Sequence, residues 1–596
     1  MKIPSLVEIT AKAESAAKRF PITIIWSILG TLYCIGLLED TGELFEDKEN
    51  VLLTLSLGIS WLIGTQFLIE QFKNKNKWQW LKLLVLALLG LFYWYYPSAY
   101  HYDQNPIYLT RFFLYIIAGH LFVFFAPFIV KWNKNAYWNY LNLTGTAITR
   151  SLFFSGILYL GLVLALVAIE ALFDVTIKGR RYGQLFIFCL GIINTWIYLA
   201  DFPKNILKNT EIHFNKPIEV LVKYILIPLV IIYLLILYAY SGKIVLEWKL
   251  PKGWVSYLVI ALSILGYIIQ IIINPVQKNI KSWTINRFFP WFYIVLIPLN
   301  ILLFVAIFRR INDYGITENR YFVLAIALWN VAMIIYLLFS KNKALKVIPI
   351  SLFAIAILSS FGFWGAYSVS NRSQTKRFEK IFTAVKEKNN TATGSQLSQL
   401  KSILKFLEEH KKVTNLNTIT QLNLEDYREK PVDSLQPGYL NKNKIWEKLD
   451  IKVDPTTITD KQKNDVYYSR HQYNNYKFSE SVSAYDYFTY LKYFNTSKTI
   501  DAGEYEIALD MDTIQMSISS KKDATNKIEI PLREKLVSLS AGDPDLRNLD
   551  DDNFTIELKT KTLDIKMHLS ELNYRVKYDK SIVINNFSAF IFIKEN

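Results

Sequence analysis

Residues 20 to 370 hold eleven runs of about 17 to 24 mostly apolar residues, and after Ser370 such runs stop. At 1.5 Å of rise per residue, about 20 apolar residues cross a bilayer core of roughly 30 Å as a helix. The pattern predicts spans at 20–38, 51–69, 80–97, 112–130, 151–174, 183–200, 218–240, 254–273, 288–306, 321–340 and 347–369. The expected architecture is therefore an all-α polytopic transmembrane bundle over 1–370, followed by a small soluble α+β domain over 371–596.

The periodicity changes within that second region. Phe378, Ile381, Phe382 and Val385 follow helical spacing, as do Leu397, Leu400, Ile403, Leu404 and Leu407, so 371–429 reads as helical with a break at 389–394. From about Asp465 the period becomes two. Ile507 and Leu509, Met516 and Ile518, Ile556 and Leu558, Leu563 to Leu569, and Ile582, Ile584, Phe590 and Phe592 alternate with polar residues. That spacing predicts one antiparallel sheet of five or six strands over 465–596.

Composition sharpens the division. The chain has 596 residues, 52% of them hydrophobic and 20% charged, with a formal net charge of +16. Nearly all of the basic excess lies in the first 370 residues, in short connections beside apolar runs, which points to membrane lipids with anionic headgroups as partners and argues against nucleic acid. Cys34 and Cys189 both fall inside predicted spans, which excludes a disulfide framework and thiolate chemistry in the tail. Met1 to Arg19 reads as an amphipathic lead without a cleavage site, so the first span is expected to stay as an anchor.

Positive charge orients the spans. The lead, the 73–77 loop and the 131–150 connection are basic, whereas the first loop is acidic through Glu39, Asp40, Glu43, Glu46 and Asp47. This places the amino terminus in the cytoplasm of a bacterial inner membrane, and an odd span count then puts the tail outside the cytoplasm. Trp80, Trp94, Tyr95, Trp138, Trp248 and Trp283, among others, suit the headgroup level at span ends.

Ionisable groups inside spans are the first candidates for function, since burying a charge in lipid is costly. His120 lies in the fourth span, and Glu170 and Asp174 sit four apart near the end of the fifth. They fit either a proton or cation relay through His120 and Glu170, or an interfacial carboxylate pair with a single interhelical bond from His120. Asn330 is a polar side chain that can bond a neighbouring helix or a ligand. Ser56, Ser60 and Gly64 repeat every fourth residue as a packing seam.

Between the ninth and tenth spans lies a compact charged turn. Gly315 can supply a positive φ, Thr317 can cap the next helix, and Arg309, Arg310 and Arg320 can pair with Asp313 and Glu318. The tail carries His410, His471 and His568 at no metal-ligand spacing, an acidic turn at 542–545 without the calcium-loop pattern, and a tyrosine cluster between 465 and 493. No HExxH, GxSxG or paired intramembrane aspartates occur, which weighs against an enzyme, and no cofactor or metal is expected.

The segments DYGITENRYFVLAIALW at 313–329, FPITIIWSILGTL at 20–32 and IEALFDV at 169–175 resemble the bacterial integral membrane family described as domain of unknown function 4153. The resemblance implies a polytopic inner-membrane protein and carries no activity, ligand or catalytic residue. Two classes of function follow from the pattern. One is transport or handling of a small molecule or lipid; the other is a non-transporting sensor or envelope scaffold whose soluble domain meets a protein partner.

Overall fold

The computed structural model describes residues 6–39, 49–96, 106–212, 216–247, 254–275, 277, 282–340, 343–429, 439–454, 466–470, 481–494, 498–510, 513–522, 527–540, 546, 550–577 and 581–596. The acids at 40–47, Trp248, His471 and the acidic turn at 542–545 lie outside them. The chain divides into two compact units, one of residues 1–390 and 399–451 and one of 391–398 and 452–596. By packing, the helical stretch read as the start of the soluble tail joins mostly the first unit.

The first unit opens with the amphipathic helix α1 (Leu6–Arg19). Next come α2 (Pro21–Glu39), α3 (Glu49–Ile69), α4 (Trp80–Tyr95), α5 (Pro106–Phe125) and α6 (Lys134–Phe173). After them run α7 (Gly179–Asp201), α8 (Lys216–Ile244), α9 (Trp254–Ile273), α10 (Trp283–Tyr314) and α11 (Glu318–Phe339). Among the described residues ten helical stretches are long and apolar enough to cross a bilayer, one at each of α2 to α11, with those at α4 and α5 including the adjoining short helical turns at 75–78 and 126–128. The protein is thus a multi-pass membrane protein.

Two expectations change. The eleventh run is not one rod: it forms α12 (Val347–Ser360), 14 residues or about 21 Å long, then a break over 361–365, then the polar helix α13 (Ala366–Lys386). Gly362, at φ +80°, lies in that break, in the left-handed region that glycine enters without penalty. The basic connection at 131–150 is mostly helix as well. It is the first part of α6, whose 40 residues run about 60 Å, with Asn133 capping Asn135 and Ala136 at 3.0 Å each.

Close approach fixes the seam between α3 and α5. A Cβ on Gly64 would stand 2.4 Å from Phe122, and one on Gly119 2.3 Å from the Ser60 hydroxyl. Ser60 and Gly64 therefore belong to the expected small-residue seam, whereas Ser56 is exposed. Trp80 and Trp94 are exposed as interfacial anchors should be, but Trp138 is only 5% exposed and donates its indole N–H to the Ile272 carbonyl at 2.8 Å. Trp138 locks α6 to α9 and is not a headgroup anchor.

The second unit contains two antiparallel sheets where one was expected. Strands β3 (Lys498–Ala502), β4 (Tyr505–Asp510), β5 (Gln515–Ser520) and β6 (Lys527–Ile530) form a four-stranded meander. The other sheet has the order β7 (Thr555–Lys559), β8 (Leu563–Val576), β9 (Ile582–Glu595), β2 (Tyr487–Phe494), with β1 (Val466–Arg470) also pairing β8. Ile507, Met516, Ile518, Met567 and Leu569 all turn into one core, as their alternation predicted.

Near the carboxyl terminus the alternation misleads. Register shifts between Leu569 and Glu571 and between Asn573 and Tyr574 break the β8–β9 ladder, and an extra residue moves every later side chain to the opposite face. Beyond them Phe587, Ala589, Ile591 and Ile593 point into the core, and Phe590 lies on the other face against Phe488 and Tyr490.

Candidate functional site: an interfacial groove and a clasped turn

The four intramembrane candidates do not converge. His120 is exposed on the outside of α5, and its Nδ1 lies 2.8 Å from the Ile116 carbonyl of its own helix. Glu170 accepts from the Ile177 backbone N–H at 2.7 Å and from the Tyr182 hydroxyl at 2.5 Å, which ties the end of α6 to the start of α7. Asp174 is exposed and ends α6 in the left-handed conformation at φ +50°. His120 and Glu170 share no hydrogen bond, so the geometry for a relay between them is absent among the described residues.

Asn330 is 1% exposed and sits at the centre of a polar knot. Its amide nitrogen donates to Ser263 Oγ at 2.8 Å and to Asn300 Oδ1 at 2.9 Å, and its Oδ1 accepts from the Tyr267 hydroxyl. Ser263 and Tyr267 belong to α9, Asn300 to α10 and Asn330 to α11, so one side chain fastens three helices. Every hydrogen-bonding atom of that amide is used within the protein. This is interhelical glue.

The charged turn is a joint. Gly315 takes φ +72° and ψ 179°, a combination open essentially to glycine alone. Helix α13 grips the turn from the side: Gln374 Nε2 donates to the Tyr314 and Ile316 carbonyls at 3.0 Å each, Ser373 Oγ accepts from Ile316 N at 2.9 Å, and Arg377 donates to the Asn312 and Asp313 carbonyls. The expected ion pairs are redistributed. Arg309 stands 3.7 Å from Asp313 on the exposed side, Arg310 is exposed, and Arg320 turns to the Tyr314 and Gly315 carbonyls at 3.2 and 2.7 Å. Thr317 occupies the N-cap position of α11 without a capping bond from its side chain.

Glu318 meets a residue no sequence spacing could connect with it. His410 is 3% exposed and stacks on Phe406 at 4.1 Å, and its Nε2 lies 3.2 Å from Glu318 Oε1, within ion-pair reach but off the line of a hydrogen bond. Burial works against the charged ring. The Glu318 carboxylate and the Phe406 carbonyl, 2.6 Å from Nδ1, outweigh it and hold the His410 pKa above its ordinary value. Tyr367 of α13 packs on the same imidazole at 5.7 Å between ring centres.

A groove opens beside the break after α12. Leu57 and Trp61 of α3, Val85, Leu88, Leu89, Leu91, Phe92 and Tyr95 of α4, Tyr108, Arg111 and Tyr115 of α5, and Ile357 of α12 enclose a cavity of about 350 Å³. Its wall is apolar except at one end. There Arg111 donates from Nε to the Ser360 carbonyl at 2.9 Å, capping the carboxyl end of α12, and its guanidinium lies 6.0 Å from the Tyr95 ring. Neither the apolar groove nor its single cation was marked by the sequence pattern. Arg111 stood there only as one basic residue near a loop, and the groove needs four helices to exist.

No solved structure matches the chain. An uncharacterized protein of Pasteurella multocida (strain Pm70) is 26% identical to it over 389 residues, which is 63% of this chain and 61% of that relative, so the alignment spans less than two thirds of the relative's length. The sequence profile described as Domain of unknown function (DUF4153) matches residues 29–389, from within α2 to just past α13, and the two joints described above, the Asn330 knot and the clasped turn, lie inside it. With that match over more than half its length, the chain belongs to the DUF4153 family.

Proposed function

We propose that this protein handles a lipid or similar amphiphile within the membrane and does not conduct ions. The groove beside Arg111 carries the reading, because it joins an apolar interior to one cationic group at its end. Ion pathways need polar groups that remain open to a passing ion. Here Asn330 is consumed by its own knot, His120 faces outward, and Glu170 is held by Ile177 and Tyr182.

The test is reconstitution of the full chain into liposomes carrying a fluorescent phospholipid. Protein-dependent movement of the labelled lipid between leaflets, lost in Leu88→Trp, supports the reading. Protein-dependent ion flux without lipid movement overturns it.

The second reading is a membrane-anchored sensor or scaffold whose second unit engages an envelope protein. The clasp of α13 on the 314–317 turn favours it, since such a joint holds a soluble segment firmly against the bundle. Placement in the bacterial inner membrane with a cytoplasmic amino terminus belongs to both readings, and the second unit lies outside the cytoplasm in both on the premise that the short α12 makes the eleventh crossing after the ten longer helices. Phosphatase and fluorescent reporters fused after residue 343 and after residue 388 test it. Phosphatase activity at residue 388 is the expected result, and fluorescence there reverses the orientation of the tail.

A further inference from the structure

We infer that the α3–α4–α5–α12 groove is a binding site for an anionic phospholipid, with an acyl chain along the apolar wall and the headgroup phosphate on Arg111. The inference rests on the lipid-handling reading and adds the class of headgroup and the direction in which the lipid lies.

The groove has the dimensions and polarity of such a ligand. From Val85 to Tyr95 along α4 it runs eleven residues, ten helical steps or about 15 Å, a stretch of hydrocarbon reach and not of headgroup reach. Leu88 and Leu91, 53% and 64% exposed, line it on the side that faces lipid, so a chain can enter laterally from the bilayer. Its deep part is Trp61, Val85, Leu89 and Ile357, which offer a chain nothing but apolar contact.

The mouth is the complement of a phosphate. Tyr95, Tyr96 and Tyr108 ring it, and phenols favour the headgroup level. Arg111 spends only Nε on Ser360; its two terminal nitrogens form no hydrogen bond among the described residues. The bond to Ser360 also immobilises the guanidinium, so little side-chain freedom is lost when an anion arrives. A planar, fixed guanidinium presenting two N–H groups suits the paired oxygens of a phosphate better than a flexible ammonium would. A zwitterionic headgroup places its own cation beside that phosphate and weakens the same contact.

The decisive measurement is native mass spectrometry of the full chain in a neutral maltoside detergent, titrated separately with phosphatidylglycerol, with phosphatidylcholine of the same chains, and with inorganic phosphate. Phosphatidylglycerol should bind roughly tenfold tighter than phosphatidylcholine, as one charge-assisted contact allows. Inorganic phosphate should fail to compete. Arg111→Gln should remove the preference by weakening phosphatidylglycerol far more than phosphatidylcholine, while Leu88→Trp, which fills the groove, should weaken both lipids.

Equal binding of the two lipids, with both lost in Leu88→Trp, would overturn the headgroup assignment and leave the lipid-handling reading standing. Lipid binding untouched by Leu88→Trp puts the lipid elsewhere and overturns both. Competition by inorganic phosphate as strong as that by lipid overturns the lipid as the source of the anion. Because Arg111 also caps α12, Arg111→Gln can lower the yield of folded protein; the headgroup preference of the parent protein and the Leu88→Trp result then decide the matter without it.

Discussion

The Asn330 knot and the Arg111 groove are both polar features in an apolar helical unit, yet they differ in what their polar atoms are left to do. In the knot, Asn330 satisfies its amide wholly on Ser263, Asn300 and Tyr267, and the helices close around it. At the groove, Arg111 satisfies one nitrogen on Ser360 and faces a cavity with the rest. A polar group buried in a membrane protein is therefore not in itself a sign of a ligand. What separates glue from recognition is whether bonding capacity remains once the helices have packed.

Five substitutions or titrations can break that comparison. The largest effect belongs to Asn330→Leu, which strands the Tyr267 hydroxyl and the partners on α9 and α10. Interhelical bonds in membranes average about 0.6 kcal/mol, but a buried group left without a partner costs about 1–3 kcal/mol. A loss of about 2–3 kcal/mol is expected, seen as a lower melting temperature in detergent. If Asn330→Leu melts like the parent, the knot is not structural and its amide must be sought again as a binding group.

Gly315→Ala comes next, at about 1–3 kcal/mol, because alanine is excluded from the backbone conformation at φ +72° and its Cβ would stand 2.9 Å from Gln374. Proteolysis after α13 should accelerate in this variant if the turn is the clasp's anchor. Arg320→Ala removes two bonds to carbonyls of the same turn and should cost about 1–2 kcal/mol in folded protein, whereas the isosteric Glu170→Gln stays within about 0.5 kcal/mol. Normal abundance of Arg320→Ala together with a lost phenotype would move Arg320 from structure to function.

The smallest expected effect is the pH dependence of the Glu318–His410 contact. Because the folded-state pKa of His410 is raised, the charged ring stabilises the joint fully below its unfolded value of about 6.5, and that contribution fades as pH rises through the folded value. Glu318 and Glu409 are the charged groups that act on it, and the Tyr367 ring packed on it lies in turn within the field of Glu318 and Arg111. Melting followed from pH 5.5 to 8.5 should show this slope in the parent and a flatter one in His410→Gln. An unchanged slope assigns the titration to another group.

Some of this was legible in the pattern of residues. The apolar runs, the amphipathic lead, the left-handed Gly315 and the alternation of Ile507, Met516 and Ile518 were each local properties, decided within a few residues along the chain. The ion-pair set at 309–320 was legible only in part. Its residues were identified as a joint, but Glu318 found His410 92 positions away, and Arg320 found carbonyls instead of carboxylates. Phe590 was placed on the wrong face because a bulge resets strand phase without leaving a mark in composition.

By itself, then, the sequence determined solvent. Runs of about 20 apolar residues have no stable home but a bilayer or a large core, and this holds whatever the helices do next. Only the tertiary structure decided which polar atoms are spent and which remain. Asn330 and Arg111 look alike as isolated polar residues near hydrophobic runs, and their difference is set by three partner helices in one case and by a cavity among four helices in the other. Hydrogen bonding is satisfied between segments distant along the chain, and that accounting can be completed only after packing.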